Sequence, residues 1–267
     1  MMVEKKRWQI GLLVVMIVFL IPIVIILSLK VLKEEEEPKK GLVVRPAKYI
    51  KYNPSNESTY LEKYVYPLNN FMKKYEEAKI GDGVIIKCNE ETLPGKGENC
   101  FFNKLWVYQQ CDPENNWNYN TENPCIVLSF ENFTSEFEPQ PHTLETITKT
   151  LETITKEKKD ADAVVEAQYI KNLMLEAFYE SDGEETFPTV WVSCSNGEHS
   201  YTEYSGFPTY FFHNTHLPTY LPPLLGVRLN VGKKFNQDVP IQCKMWAQNI
   251  NHNEEYGKIN FTVHIVK

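Results

Sequence analysis

Six cysteines, one close histidine pair and three Asn-x-Ser/Thr triplets are the residues of this sequence whose types and spacing could do chemistry. Cys88, Cys100, Cys111, Cys125, Cys194 and Cys243 include no C-x-x-C, so neither a structural zinc site nor a dithiol redox centre is indicated. Six thiols permit many disulfide pairings, and spacing alone does not choose among them. His213 and His216 have the i, i+3 spacing that could put two metal ligands on one helix face. Pro208 and Pro218 flank them and favour a loop, so no metal site is expected. Glu90-Glu91, Glu184-Glu185 and Glu254-Glu255 are adjacent in sequence; in a strand such neighbours face opposite ways, so they read as solvated turns rather than acid–base pairs. The chain has no G-x-S-x-G, no H-E-x-x-H, no P-loop and no G-x-G-x-x-G after a strand. The expectation is therefore a protein with no catalytic residues and no cofactor. The triplets Asn56-Glu57-Ser58, Asn132-Phe133-Thr134 and Asn260-Phe261-Thr262 are acceptors for N-linked glycans, whereas Asn53 is excluded by the proline after it.

Thiols and sequons of this kind belong to an oxidising, glycosylating compartment, and all of them follow one long apolar run. Ile10 to Leu29 carries no charge, and at about 1.5 Å per residue its helix would be roughly 30 Å long, the thickness of a bilayer core. A cleavable signal would have a shorter apolar region and a small-residue cleavage site. This run instead ends in Leu29-Lys30-Val31-Leu32-Lys33, which favours an uncleaved signal anchor. Lysines and arginines flank both ends, so the positive-inside rule does not orient the span. The cysteines and sequons do, predicting a type II protein with its C-terminal part outside the cell. Net charge is −7, made of +3 over the first thirty residues and −10 over the rest. An acidic exterior, in a chain whose overall pI is near 5.5, argues against nucleic-acid binding.

Beyond the span, KEEEEPKK at 33–40 reads as a solvated stalk. Residues 59–79 place Leu61, Tyr64, Val65, Leu68, Phe71, Met72 and Tyr75 on one helical face, with Pro67 bending that helix or setting its start. From Val84 onward short β-rich runs (VIIKC, LWVYQQC, CIVLSF, TVWVSC, LLGVRLNV, VPIQCKMWAQNI, KINFTVHIV) alternate with turn residues, the pattern of an antiparallel sandwich or barrel. One insertion interrupts them. TLETITK occurs twice in tandem at 143–156, and Leu144, Ile147, Leu151 and Ile154 form a two-heptad seam. A duplicated surface helix, a partner-docking helix and a flexible O-glycosylated segment all fit that pattern.

Several of these pieces occur together in a known order. Phe207-Pro208-Thr209-Tyr210-Phe211, Pro223-Leu224-Leu225-Gly226-Val227, Cys243-Lys244 with Asn249-Ile250, and Gly257-Lys258 succeed one another near the C-terminus. Cys100, LWVYQQC, and Asn123-Pro124-Cys125 with its apolar strand precede them, after the Tyr-rich helix at 59–79. This ensemble resembles the β subunits of sodium/potassium-transporting ATPases and their proton/potassium relatives, over most of 45–137 and 188–267. The resemblance implies an all-β immunoglobulin-like sandwich ectodomain with helical insertions behind one N-terminal transmembrane helix. It implies sequential disulfides, Cys88–Cys100, Cys111–Cys125 and Cys194–Cys243. It also implies a non-catalytic role at the plasma membrane, assisting folding, delivery and potassium handling of an ATP-hydrolysing α subunit. Phe207, Pro208, Tyr210, Phe211 and Tyr220 are the implied partner-binding residues. The expected layout is a cytoplasmic tail (1–9), the signal anchor (10–29), a stalk (30–58), a juxtamembrane helix (59–80) and the disulfide-stapled ectodomain (81–267), with the insertion at about 143–180. The span carries only Phe19, with Trp8 at its edge, where the family's span is rich in aromatics. That departure supports an alternative: a pump-independent surface glycoprotein acting in adhesion or junctions.

Overall fold

The computed structural model describes residues 41–81, 84–131, 138–157, 161–180, 188–196, 206–252 and 256–267. The expected tail, membrane span and first stalk residues, and the sequon at Asn132, lie outside the described residues.

The first strand, β1 (Gly41–Arg45), buries four of its five residues, and β2 (Tyr49–Tyr52) follows after a cis Arg45–Pro46 peptide. These two consecutive strands pair in different sheets. A helical stretch follows as α1 (Glu57–Tyr60), a π-helical turn (Leu61–Val65) and α2 (Tyr66–Glu77). Pro67 explains the π turn: proline has no N–H to return to the preceding turn, and the wider turn relieves its clash with the carbonyl there. The expected helix is therefore present, with its irregularity at the proline. Leu68, Met72 and Tyr75 bury its inner face.

Short strands β3 (Ile85–Ile86) and β4 (Asn99–Cys100) pair in parallel. LWVYQQC, expected as a strand, instead forms the short helix α3 (Leu105–Tyr108). Of its first four residues only Val107 is buried, so the run lacks the alternation a strand needs. Asn103 accepts a hydrogen bond from the Leu105 amide (3.0 Å) and starts the turn. Then come β5 (Cys125–Glu131), α4 (Leu144–Glu157), α5 (Ala161–Glu180), β6 (Thr189–Ser195), β7 (Gly206–Pro208), β8 (Leu224–Arg228), β9 (Asp238–Trp246) and β10 (Lys258–Ile265).

One sheet has the order β1–β5–β8 and is antiparallel; the other has the order β2–β10–β9–β6–β7, antiparallel except for the parallel β2–β10 pair. Because β1 and β2 are consecutive, the sheets join at that corner into a curled half-barrel. In β10, Ile259, Phe261, Val263 and Ile265 point inward and the residues between them outward, the period-two pattern of a half-buried strand. The main core draws on both sheets and on α2. Gly226 on β8 has a packing reason to be glycine: a Cβ there would lie 2.8 Å from the Val107 carbonyl, so α3 can sit on β8 only where no side chain intervenes.

The helical insertion expected at about 143–180 is present, but all-β is too narrow a class for the whole domain. The domain is mixed α/β, because the 143–180 insertion contributes a pair of helices packed on the sheet. Leu144, Ile147, Leu151 and Ile154, the duplicated seam, join Ala167, Ile170, Leu173 and Met174 of α5 and the indoles of Trp191 and Trp246 in a second core. The threonines that weaken helix propensity are accommodated: Thr148, Thr150, Thr153 and Thr155 each donate to the carbonyl four residues back, at 2.6–3.0 Å.

Candidate interaction site

The aromatic segment 207–220 is built from the inside outward. Phe207 on β7 lies opposite Val190 of β6 and is 1% exposed. Tyr210, Phe211 and Phe212 follow in a 3-10 turn and are buried as well. Phe211 meets Phe102 and Trp106 edge-to-face, with centroids 5.6 and 5.8 Å apart, and Phe102 in turn meets Tyr75 of α2. The result is a continuous aromatic ladder from the helix to the loop, an arrangement favoured by the ring quadrupoles. Pro208 is half-buried. Tyr220 closes the segment near Tyr75 of α2. Burial pushes its hydroxyl well above the usual phenol range, and the nearby Tyr75 and Glu131 reinforce the effect.

Asn99 locks the intervening loop to the Cys88–Cys100 loop. Its amide donates to the carbonyls of His213 (3.4 Å) and Asn214 (3.1 Å), while its oxygen accepts from Thr219 (2.9 Å). The three disulfides are Cys88–Cys100, Cys111–Cys125 and Cys194–Cys243. Cys194 and Cys243 face each other directly across β6 and β9, so this bridge lies within one sheet. His213 pairs with Glu138 at 3.0 Å and His216 is exposed. Among the described residues no group of three or more His, Cys, Asp or Glu is placed to hold a metal.

Beside this segment Arg45 organises a charged network. Its guanidinium bonds both Glu131 carboxylate oxygens and the Ser129 hydroxyl at 2.7–2.8 Å, and it stacks 4.1 Å above the Phe71 ring. Burial alone would raise the Glu131 carboxyl; its bonds to Arg45 and Ser129 win and hold it below the usual range. The network ties β1, β5 and α2 together next to the aromatic ladder.

Sequence reasoning grouped the aromatics of 207–220 but not the residues that expose an apolar surface next to them. Leu105 and Trp106 of α3 are 54% and 43% exposed. Their exposure follows from how α3 sits on β8, and a run read as a strand carries no signal of it. Of the sequons, Asn56 is exposed and its side chain caps α1 through the Thr59 amide (3.4 Å), and Asn260 is exposed on the outer face of β10.

The disulfide scheme, the split first strand and the C-terminal strands all fall within the range of one family model. The model described as sodium/potassium ATPase beta chain matches residues 10–265. The chain belongs to the sodium/potassium ATPase β chain family. The subunit beta-2 of the sodium/potassium-transporting ATPase of Drosophila melanogaster is 27% identical over 209 residues, covering 73% of this chain and 58% of that protein. The beta-1 subunit of the same organism is 26% identical over 170 residues, covering 59% of this chain and 47% of that protein. The chain thus spans about half the length of the relatives it matches. The α4–α5 hairpin lies inside the matched range.

Proposed function

We propose that this chain is the non-catalytic β subunit of a P-type sodium/potassium-transporting ATPase, assisting folding, membrane delivery and potassium handling of a catalytic α subunit. The observation that carries the reading is the family match over 10–265, which runs from the apolar segment through the last strand. On this reading 10–29 is the signal anchor, the first nine residues are cytoplasmic, and the disulfide-stapled domain is extracellular with glycans at Asn56, Asn132 and Asn260. Three bridges in a domain with no free cysteine among the described residues support an oxidising location. An immunoglobulin-like ancestry for the sandwich is supported by the first strand, which divides between the two sheets and pairs in parallel with the last. The Cys194–Cys243 bridge departs from that pattern, since it lies within a sheet rather than between sheets.

The α-subunit contact is assigned to the 207–220 segment, with Pro208 and the neighbouring Leu105 and Trp106 as its outward surface and Phe207, Tyr210, Phe211 and Tyr220 as the support beneath. The inward packing of those four aromatics also favours the second reading, a pump-independent surface glycoprotein, because a segment kept for its own packing needs no partner. Co-expression with a sodium/potassium pump α subunit, in cells lacking other β subunits, separates the two. Co-purified α subunit with ouabain-sensitive rubidium uptake above the α-only control is the expected result. A glycosylated surface protein with no α subunit attached would overturn the pump reading.

A further inference from the structure

We propose that Asn260 carries an N-linked glycan whose first N-acetylglucosamine sits in the cleft between the outer face of the five-stranded sheet and the N-terminal end of α5, closing it over the Lys244–Glu166 ion pair. This inference rests on the exterior placement proposed above.

Strand geometry supplies the first argument. On β10 the triplet Asn260-Phe261-Thr262 alternates, so Phe261 is buried in the core while Asn260 and Thr262 share the outer face. Gln242, the residue directly opposite on β9, donates from Nε2 to the Asn260 Oδ1 at 2.7 Å. That bond fixes the plane of the amide. It engages the oxygen and leaves Nδ2, the atom that is glycosylated, without a hydrogen-bond partner among the described residues.

The cleft supplies the second. Asn260 is on the wall of a concavity of about 510 Å³ whose other walls include Lys48, Asp162, Gln242, Lys244 and Glu166. That is within the size range of small-ligand sites. Its two cations and two anions balance, and Lys244 and Glu166 already neutralise each other at 2.7 Å, each almost wholly buried. Ser195 donates a further 2.7 Å bond to Glu166. A cleft that is polar but neutral, rich in donors and acceptors, suits an uncharged polyhydroxylated ligand better than an ion. A sugar attached at Asn260 needs no search to find it, because the linkage holds it at the rim at high effective concentration. Asn56 differs: it caps a helix on an exposed turn, where a glycan projects into solvent.

The attachment is a group transfer from a lipid-pyrophosphate-linked oligosaccharide. The Asn260 Nδ2–C1 bond forms, the bond from C1 to the pyrophosphate oxygen breaks, the lipid pyrophosphate leaves with the electron pair, and the amide nitrogen gives up one proton.

The test uses the full chain expressed in animal cells, with glycopeptide mass spectrometry and hydrogen exchange on wild type, Asn260→Gln, Thr262→Ala and Ser58→Ala. The expected result is occupancy at Asn260. Exchange at 161–168 and 195–196 should rise severalfold in Asn260→Gln and Thr262→Ala but not in Ser58→Ala, and should stay protected when glycans are trimmed to a single sugar. Should the substitutions disturb folding, enzymatic removal of glycans from the folded wild type gives the same comparison. Occupied Asn56 with empty Asn260 overturns the inference alone, as does an occupied Asn260 whose loss leaves exchange unchanged. Asn56 and Asn260 empty with Asn132 occupied likewise overturns the inference alone, and all three sequons empty overturns the exterior placement beneath it.

Discussion

The disulfide-stapled half-barrel and the α4–α5 hairpin are held in different ways. The half-barrel has three covalent bridges and one aromatic-rich core fed by both sheets. The hairpin has no bridge. It rests on two indoles from the sheet, Trp191 and Trp246, and on one buried ion pair, Lys244–Glu166. The first region is constrained even when unfolded, because its loops stay closed. The second depends on packing, on the Ser195 bond to Glu166 and on a charge pair whose desolvation must be offset by its geometry. The hairpin is therefore the part of the domain expected to open locally while the rest stays folded.

The largest effect should come from opening the longest bridge. Replacing Cys194 and Cys243 together by serine frees a loop of 49 residues, with a loss on the order of 4 kcal/mol in the chain-entropy picture. Chemical denaturation should register it as a global change, in sheet and hairpin alike. Glu166→Ala should cost about 3 kcal/mol, since it strands Lys244 as a buried uncompensated charge. Here hydrogen exchange should accelerate over 144–180 and leave β10 protected; equal acceleration in both would show that the two regions form one cooperative unit.

Tyr119 sharpens the contrast from the other side. Its ring stacks on Tyr64 (5.0 Å) inside the half-barrel, but its hydroxyl is buried with no hydrogen-bond partner among the described residues. Tyr119→Phe should therefore stabilise the domain by about 1 kcal/mol, raising Tm by roughly 2–4 °C. A fall in Tm would reveal a partner for that hydroxyl.

A further effect is pH-dependent and centred on the root of the hairpin. Burial first, and the neighbouring His252 second, push the His142 imidazole down to about 4. Burial also lowers His252, against its bond to the Met245 carbonyl (2.6 Å); Lys244 and Lys258 lower it further, while Glu166 opposes them. A histidine depressed in the folded state binds fewer protons there than when unfolded. Its neutral form thus contributes full stability above about 6.5, and that contribution declines as pH falls toward about 4. The melting temperature should drop between pH 7 and pH 5, and His142→Asn should flatten the slope; an unchanged slope would place the sensitivity elsewhere.

How legible each region was follows from how local its causes are. The alternation in KINFTVHIV is a local signal, and β10 follows it residue by residue. The duplicated seam was equally plain, and all four of its apolar residues pack. What they pack against was not, because Trp191 and Trp246 come from strands far along the chain. LWVYQQC misled because a short apolar run is ambiguous between helix and strand, and only the contact with Gly226 on β8 decides it. Asn116, Trp117 and Asn118 take three successive left-handed conformations to bury the Trp117 indole; Asn tolerates that region singly, but a run of three through a Trp is not a local preference. Within the aromatic segment the residue types were readable. Their inward direction was not, since it depends on Phe102 and Tyr75 from other parts of the fold.

The first strand has a mechanical consequence. β1 is paired along its whole length with β5, from Gly41 opposite Glu131 to Arg45 opposite Val127, and the chain enters the domain at its free end. A pull on the chain before Gly41 along the strand axis loads that ladder in shear, so its hydrogen bonds share the force instead of parting one by one. The Arg45 grip on Glu131 and Ser129 stands at the far end of the same strand. The domain is thus anchored to whatever precedes it by the geometry that yields last under tension.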